Sequence, residues 1–122
     1  MRFAEENPQG QNRIRGYGPG QVTVNDEVIT ASLVVTPHRV LRDWARDLDA
    51  LDQGHMQRLQ ELEPEVLLIG TGATLRFLSP ALTSPFLQRG VGVEVMDTAA
   101  ACRTYNILMA EGRHVVAALL MI

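Results

Sequence analysis

Apolar positions alternate with polar ones in the first third of the chain, recur at helical spacing in the middle, and condense into unbroken runs in the second half. Ile14 and Tyr17, among glycines 16, 18 and 20, predict an extended segment broken by a Gly18-Pro19-Gly20 turn. Val22 and Val24, then Asn25-Asp26, then Val28-Ile29 predict a hairpin, because Asn and Asp tolerate the positive φ of a tight turn. Ser32 to Thr36 reads as a further strand whose pairing Pro37 ends. The N-terminal third is therefore expected to be an antiparallel meander.

Val40, Trp44, Leu48 and Leu51 recur at helical intervals, which predicts a short helix or an irregular loop anchored by the large Trp44 side chain. Leu51 to Leu62 predicts a helix capped by Asp52; Pro64 stops it by pushing Glu63 out of the helical region. Val66 to Ile69 is a continuous apolar run, the pattern of a strand covered on both faces, and it ends in Gly70-Thr71-Gly72. Ser79-Pro80 opens a short helix over 81–89 that Pro85 distorts and Gly90 closes. Val91 to Met96 predicts another buried strand. Asp97 or Thr98 caps a helix running to Glu111, Gly112 follows it, and His114 to Met121 makes a last strand. Strands alternating with helices in this half predict an α/β fold, a mixed sheet with crossover helices beneath a hairpin layer. Residues 1–12 read as a flexible tail and 13–122 as one α/β domain.

Composition narrows the functional classes. Fourteen acids against eleven bases give a formal charge of −3, which argues against non-specific nucleic-acid binding. Every base is an arginine, a residue suited to bidentate anion recognition, yet the nearest thing to a cluster is Arg39, Arg42 and Arg46, interleaved with Asp43 and Asp47 as on a solvated face. Cys102 is the only cysteine, so no internal disulfide forms. The first ten residues have no apolar signal core, and the terminal apolar run from Val115 spans eight residues, far short of a bilayer-spanning helix. These features predict a soluble cytoplasmic protein with no membrane insertion.

No complete catalytic constellation is present, and an enzyme is the less favoured reading. Gly70-Thr71-Gly72 offers backbone N–H groups, but Leu75 stands where a dinucleotide fingerprint needs its third glycine, and no lysine exists for a phosphate loop. Asp97 and Thr98 at a helix start fit a capping role, and alternatively face a ligand beside the glycine turn. Glu94 falls on a strand expected to be covered on both faces, so it calls for a partner, with Arg76 and Arg103 as candidates. Arg103 and Asn106 share a helix face and could line a pocket or partner surface; Tyr105 points to the core. Cys102 among alanines is most often an inert small hydrophobe. The three histidines lack zinc-binding spacing, so no metal or cofactor is expected.

Gly70-Thr71-Gly72, the following Arg76 and above all GVGVEVMDTAAACRTYNILMAEGR at 90–113 resemble a family of small single-domain proteins of unknown function. The family includes the mitochondrial respiratory complex I assembly factor 3 and a cytosolic animal protein associated with adipogenesis. The likeness runs over roughly residues 13 to 120. It implies a three-layer fold, a central mixed sheet with helices on one side and the N-terminal hairpin layer on the other, and no established catalysis. It also implies a shared surface near Gly70, Thr71, Gly72, Arg76, Asp97, Thr98 and Arg103, and, without a mitochondrial presequence, a bacterial-type cytoplasmic relative. The first expectation is a non-catalytic binding or assembly module with a protein partner, as in respiratory-chain assembly. The alternative is a small-anion or hydrolytic site at the corners 70–76 and 94–103, with Arg76 or Arg103 holding the anion and Glu94 or Asp97 moving a proton. Homo-oligomerisation through a strand edge or the Pro37–Leu51 segment is the third.

Overall fold

The computed structural model describes residues 10–122; the first nine residues of the expected tail lie outside the described residues. β1 (Ile14–Gly18), β2 (Gln21–Val24) and β3 (Glu27–Ile29) form a three-stranded antiparallel sheet, and Asn25 turns the second hairpin at φ 55°. A second sheet has the order β5-β4-β8-β6-β7, from β4 (Leu33–Val35), β5 (Val40–Leu41), β6 (Val66–Gly70), β7 (Gly92–Met96) and β8 (Val115–Leu119). β6 runs parallel to both β7 and β8, whereas β4 is antiparallel to β8, so the sheet is mixed. Three helices complete the fold: α1 (Gln53–Glu61), α2 (Pro80–Gln88) and α3 (Thr98–Ala110).

Local chemistry sets the helix ends. The Asp52 carboxylate accepts from His55 N and the His55 ring accepts from Asp52 N, a reciprocal capping box at the start of α1. Glu63 leaves the helix as expected, but at φ 53°, the left-handed conformation common just past a helix C-terminus, rather than in the extended region that Pro64 favours. Ser79 caps α2 with Pro80 in its first turn, and Asp97 caps α3 by accepting from Ala100 N at 2.9 Å.

β6 divides the core. Val66 and Leu68 join one apolar cluster with α3 and the three-stranded sheet; Leu67 and Ile69 join another with Met56 and Leu59 of α1, Phe86 of α2, and Trp44. The central mixed sheet and the hairpin layer match expectation, and α1 and α2 lie opposite the hairpins. α3 differs: it shares the hairpin side. The strand order explains this. The chain moves outward from β6 to β7 and then back past β6 to β8, and two right-handed crossovers in opposite directions put their helices on opposite faces.

Of the short helix or irregular loop expected over Val40 to Leu51, the structure takes the irregular form, because the edge of β4 captures Val40 and Leu41 in antiparallel pairing. The rest folds irregularly onto the sheet through Trp44, Ala45 and Leu51, with one 3-10 turn at Leu48–Ala50. Asn12, expected in the loose tail, is instead fixed: its N–H donates to Pro37 O at 2.6 Å, its side chain donates to Thr36 O, and its carbonyl accepts from the Tyr105 hydroxyl at 2.7 Å. Glu94 is exposed rather than buried, because β7 is an edge strand paired only with β6.

Candidate functional site

The glycine turn after β6 and the acid-threonine corner after β7 meet on one rim of the sheet. Thr71 N donates to Met96 O and Thr98 N donates to Gly72 O, both at 2.9 Å, so each corner extends the β6–β7 pairing beyond the strands. In an α/β sheet this rim, where successive crossovers depart to opposite faces, is the usual ligand crevice. Here a side chain of the protein fills it. Thr98 is fully buried; its hydroxyl accepts from Gly72 N at 2.8 Å and donates to Leu120 O at 2.6 Å. The first turn of α3 comes so close that a Cβ at Gly70 would lie 2.8 Å from Thr98 Oγ1 and 2.9 Å from Thr98 Cα. Gly70 is a glycine because the helix lies against it. Gly72 needs φ +103°, which side chains disfavour.

Thr71 is the second staple. Its hydroxyl donates to Thr74 O at 2.7 Å and accepts from Arg76 N at 3.1 Å, which holds the base of the loop that follows. Beyond that base the loop is exposed, with Leu75 at 53% and Phe77 at 90% exposure. Arg76 reaches back to Asp49 at 3.6 Å, a half-exposed pair of small energetic weight.

The remaining predicted residues do not converge on this corner. Glu94 forms no ion pair with Arg76 or Arg103 among the described residues, so the expected buried pair does not exist. Asp97 is occupied as a helix cap. Arg103 donates to the Tyr17 hydroxyl at 2.9 Å, and this bond, more than the nearby Asp97, raises its already high pKa. Asn106 spends both ends of its amide on one residue, accepting from Ile14 N at 3.0 Å and donating to Ile14 O at 2.7 Å. Arg103 and Asn106 thus bind α3 to β1 rather than lining an opening. Cys102 is fully buried, and burial pushes its thiol up to about 12, the opposite of an activated nucleophile. Burial likewise raises the Tyr105 phenol. Among the described residues no group of three or more His, Cys, Asp or Glu could hold a metal ion.

Leu75 and Phe77 were not singled out by the sequence. The available signal is an aromatic residue stranded between a glycine turn and a Ser-Pro helix start, outside every periodic segment.

The corner residues and the fold carry a likeness to known proteins. A family described as "Protein of unknown function (DUF498/DUF598)" matches residues 14–120. The chain belongs to this family. It is similar to the NADH dehydrogenase [ubiquinone] 1 alpha subcomplex assembly factor 3 of Xenopus tropicalis, 31% identical over 109 residues that cover 88% of this chain and 60% of the relative. The chain therefore spans about three-fifths of the length of that relative. A "13 kDa major membrane protein" of Francisella tularensis is 27% identical over 117 residues, covering 94% of this chain and 95% of its own. A crystal structure of a Bordetella parapertussis protein superposes with a TM-score of 0.85 at 42% identity, covering 92% of this chain and 97% of that one. Among the described residues no helix is long and apolar enough to cross a membrane.

Proposed function

We propose that the protein is a non-catalytic assembly module of the cytoplasm, that it binds a protein partner through the Leu75–Phe77 loop, and that respiratory complex I is the assembly it serves. The observation that carries this reading is Phe77, left 90% exposed on a loop whose base is fixed by the Thr71 hydroxyl. A lone exposed leucine is ordinary. An aromatic side chain held in water beside Leu75 and Arg76, on a pre-formed loop, has the composition of an interface anchor and loses little entropy on docking. The occupied rim behind it leaves Gly70, Gly72 and Thr98 as the frame that sets the loop. The name of the assembly-factor relatives supports complex I as the client.

Deleting the gene and resolving membrane complexes on native gels tests this. Assembled NADH dehydrogenase should fall and return with the wild-type gene. The double variant Leu75→Ser, Phe77→Ala should fold normally yet fail to restore it, since losing an anchor weakens binding by roughly 30-fold or more. Normal assembly in the deletion strain, or full rescue by the double variant, refutes the proposal.

A further inference from the structure

The two edges of the larger sheet differ. β5 closes one with only two residues, Val40–Leu41. β7 ends the other with five, Gly92–Met96, paired to β6 without a break in register. Gly92 N donates to Glu65 O and Met96 O accepts from Thr71 N, so both residues turn their main chain toward β6. Successive residues of a strand turn their main-chain groups to opposite sides, so Glu94 also faces β6, while Val93 and Val95 face outward. Two N–H and two C=O groups therefore line the open side, with no partner among the described residues. No proline or bulge blunts this edge. A regular, unpaired edge is a template for another strand.

The side chains of β7 define which strand fits. Val93 and Val95 pack toward the apolar cluster of α1 and α2. Glu94 lies on the opposite face, exposed, and its carboxylate has no ion pair or hydrogen bond among the described residues. On the same face Gly92 is exposed, and a Cβ built there meets nothing within 4 Å. A second copy of the chain is the wrong occupant. The two-fold register that engages both open valines sets Val93 against Val95 and Glu94 against Glu94, at about 4.5 Å between Cα atoms. Like charges directly opposite disfavour pairing, and a cation opposite Glu94 favours it.

We infer that the free edge of β7 takes an extended segment of a partner protein, in which apolar residues alternate with a basic one. The segment runs antiparallel, the stronger pairing per residue. Apolar side chains of the guest lie beside Val93 and Val95, and a Lys or Arg lies opposite Glu94. A ring beside Gly92 fills the space that residue leaves open, as aromatic neighbours do for edge glycines. Main-chain hydrogen bonds at Val93 and Val95 supply affinity, and the alternate side chains supply specificity. The inference uses no residue of the Leu75–Phe77 loop and does not rest on it.

The probe is the peptide acetyl-Thr-Val-Lys-Val-Tyr-amide, whose lysine falls opposite Glu94 and whose tyrosine falls beside Gly92. Amide exchange is followed residue by residue in proton–nitrogen spectra of the whole chain. The Val93 and Val95 amides should slow about tenfold with peptide at ten times its dissociation constant. Glu94, already bonded inward, should change less. N-methylation of both peptide valines should abolish the effect, because it removes the two donors that face β7. Glutamate in place of the lysine should weaken binding about fivefold. Glu94→Lys, at an exposed position, should reverse that preference. Exchange at Val93 and Val95 that is unchanged at about 5 mM peptide, above a millimolar dissociation constant, overturns the inference. So does an undiminished response to the N-methylated peptide, or a Glu94→Lys variant that still prefers lysine. Slowing of the same two amides with protein concentration alone assigns the edge to a second copy and overturns it too.

Discussion

Replacing Thr98 by valine isolates the hydroxyl at the centre of the rim. Valine matches threonine in volume, and the two have near-equal helix propensity, so the change at this first-turn position of α3 removes hydrogen bonding and little else. Two groups lose their partner: the Gly72 N–H at 2.8 Å and the Leu120 carbonyl at 2.6 Å. Thr98 is fully buried, and Gly72 is buried with it, so water does not replace the hydroxyl. Each orphaned buried group costs about 1–3 kcal/mol, and together about 2–6 kcal/mol. For a chain of this length that is a fall in Tm of roughly 8–24 °C. Urea unfolding followed by circular dichroism measures it, with an unchanged slope against denaturant showing that the unfolded state is the same. Thr98→Ser keeps both bonds and loses one methyl, at about 1 kcal/mol. If Thr98→Val lies within about 0.5 kcal/mol of the wild type, within the ordinary range of a harmless change, the hydroxyl does not hold the rim and the reasoning fails.

Gly70→Ala should destabilise by about 1–3 kcal/mol, because the added Cβ meets the backbone of Thr98 at 2.9 Å and the helix must retreat. Combined with Thr98→Val the loss should be less than additive, which a double-mutant cycle reads directly. Asn106→Ala should cost about 1–2 kcal/mol in the same unfolding assay, since Ile14 N–H and C=O both lose their partner. Acid should destabilise the protein through two carboxylates held below their ordinary values of 3.8 and 4.5: Asp52, mainly by the His55 backbone N–H, and Glu65, first by Arg113 and then by the His114 backbone. A depressed folded pKa stabilises above the unfolded value and stops doing so as pH falls through the folded one. Thermal melts should therefore be flat to about pH 5 and fall below it, and the Asp52→Asn, Glu65→Gln double variant should show a shallower fall.

Much of the architecture was legible locally. Asn25-Asp26, Asp52, Ser79-Pro80, Asp97 and Gly112 each act through their own short-range chemistry, so turns and caps fall where the residues put them. Strand order is not local. Nothing in GVEVM distinguishes an edge strand from a central one, which is why Glu94 read as a buried charge and stands in water. The side taken by α3 follows from the same order. At the rim, the two corners were readable and so was the possibility that they meet. That Thr98 would fill the space between them was not, because it depends on α3 lying close enough to exclude a Cβ at Gly70. Phe77 was missed for the converse reason: periodicity finds residues that pack, and this one stands 90% exposed.

A side-chain amide offers the same donor and acceptor as a peptide group. Set against Ile14, the Asn106 carboxamide behaves as a one-residue strand laid along the outer margin of β1. That margin is closed to recruitment by neighbouring molecules where it is held. Loss of the amide would therefore be felt beyond folding free energy, as a tendency of concentrated protein to zip together through its N-terminal hairpins and grow into fibres.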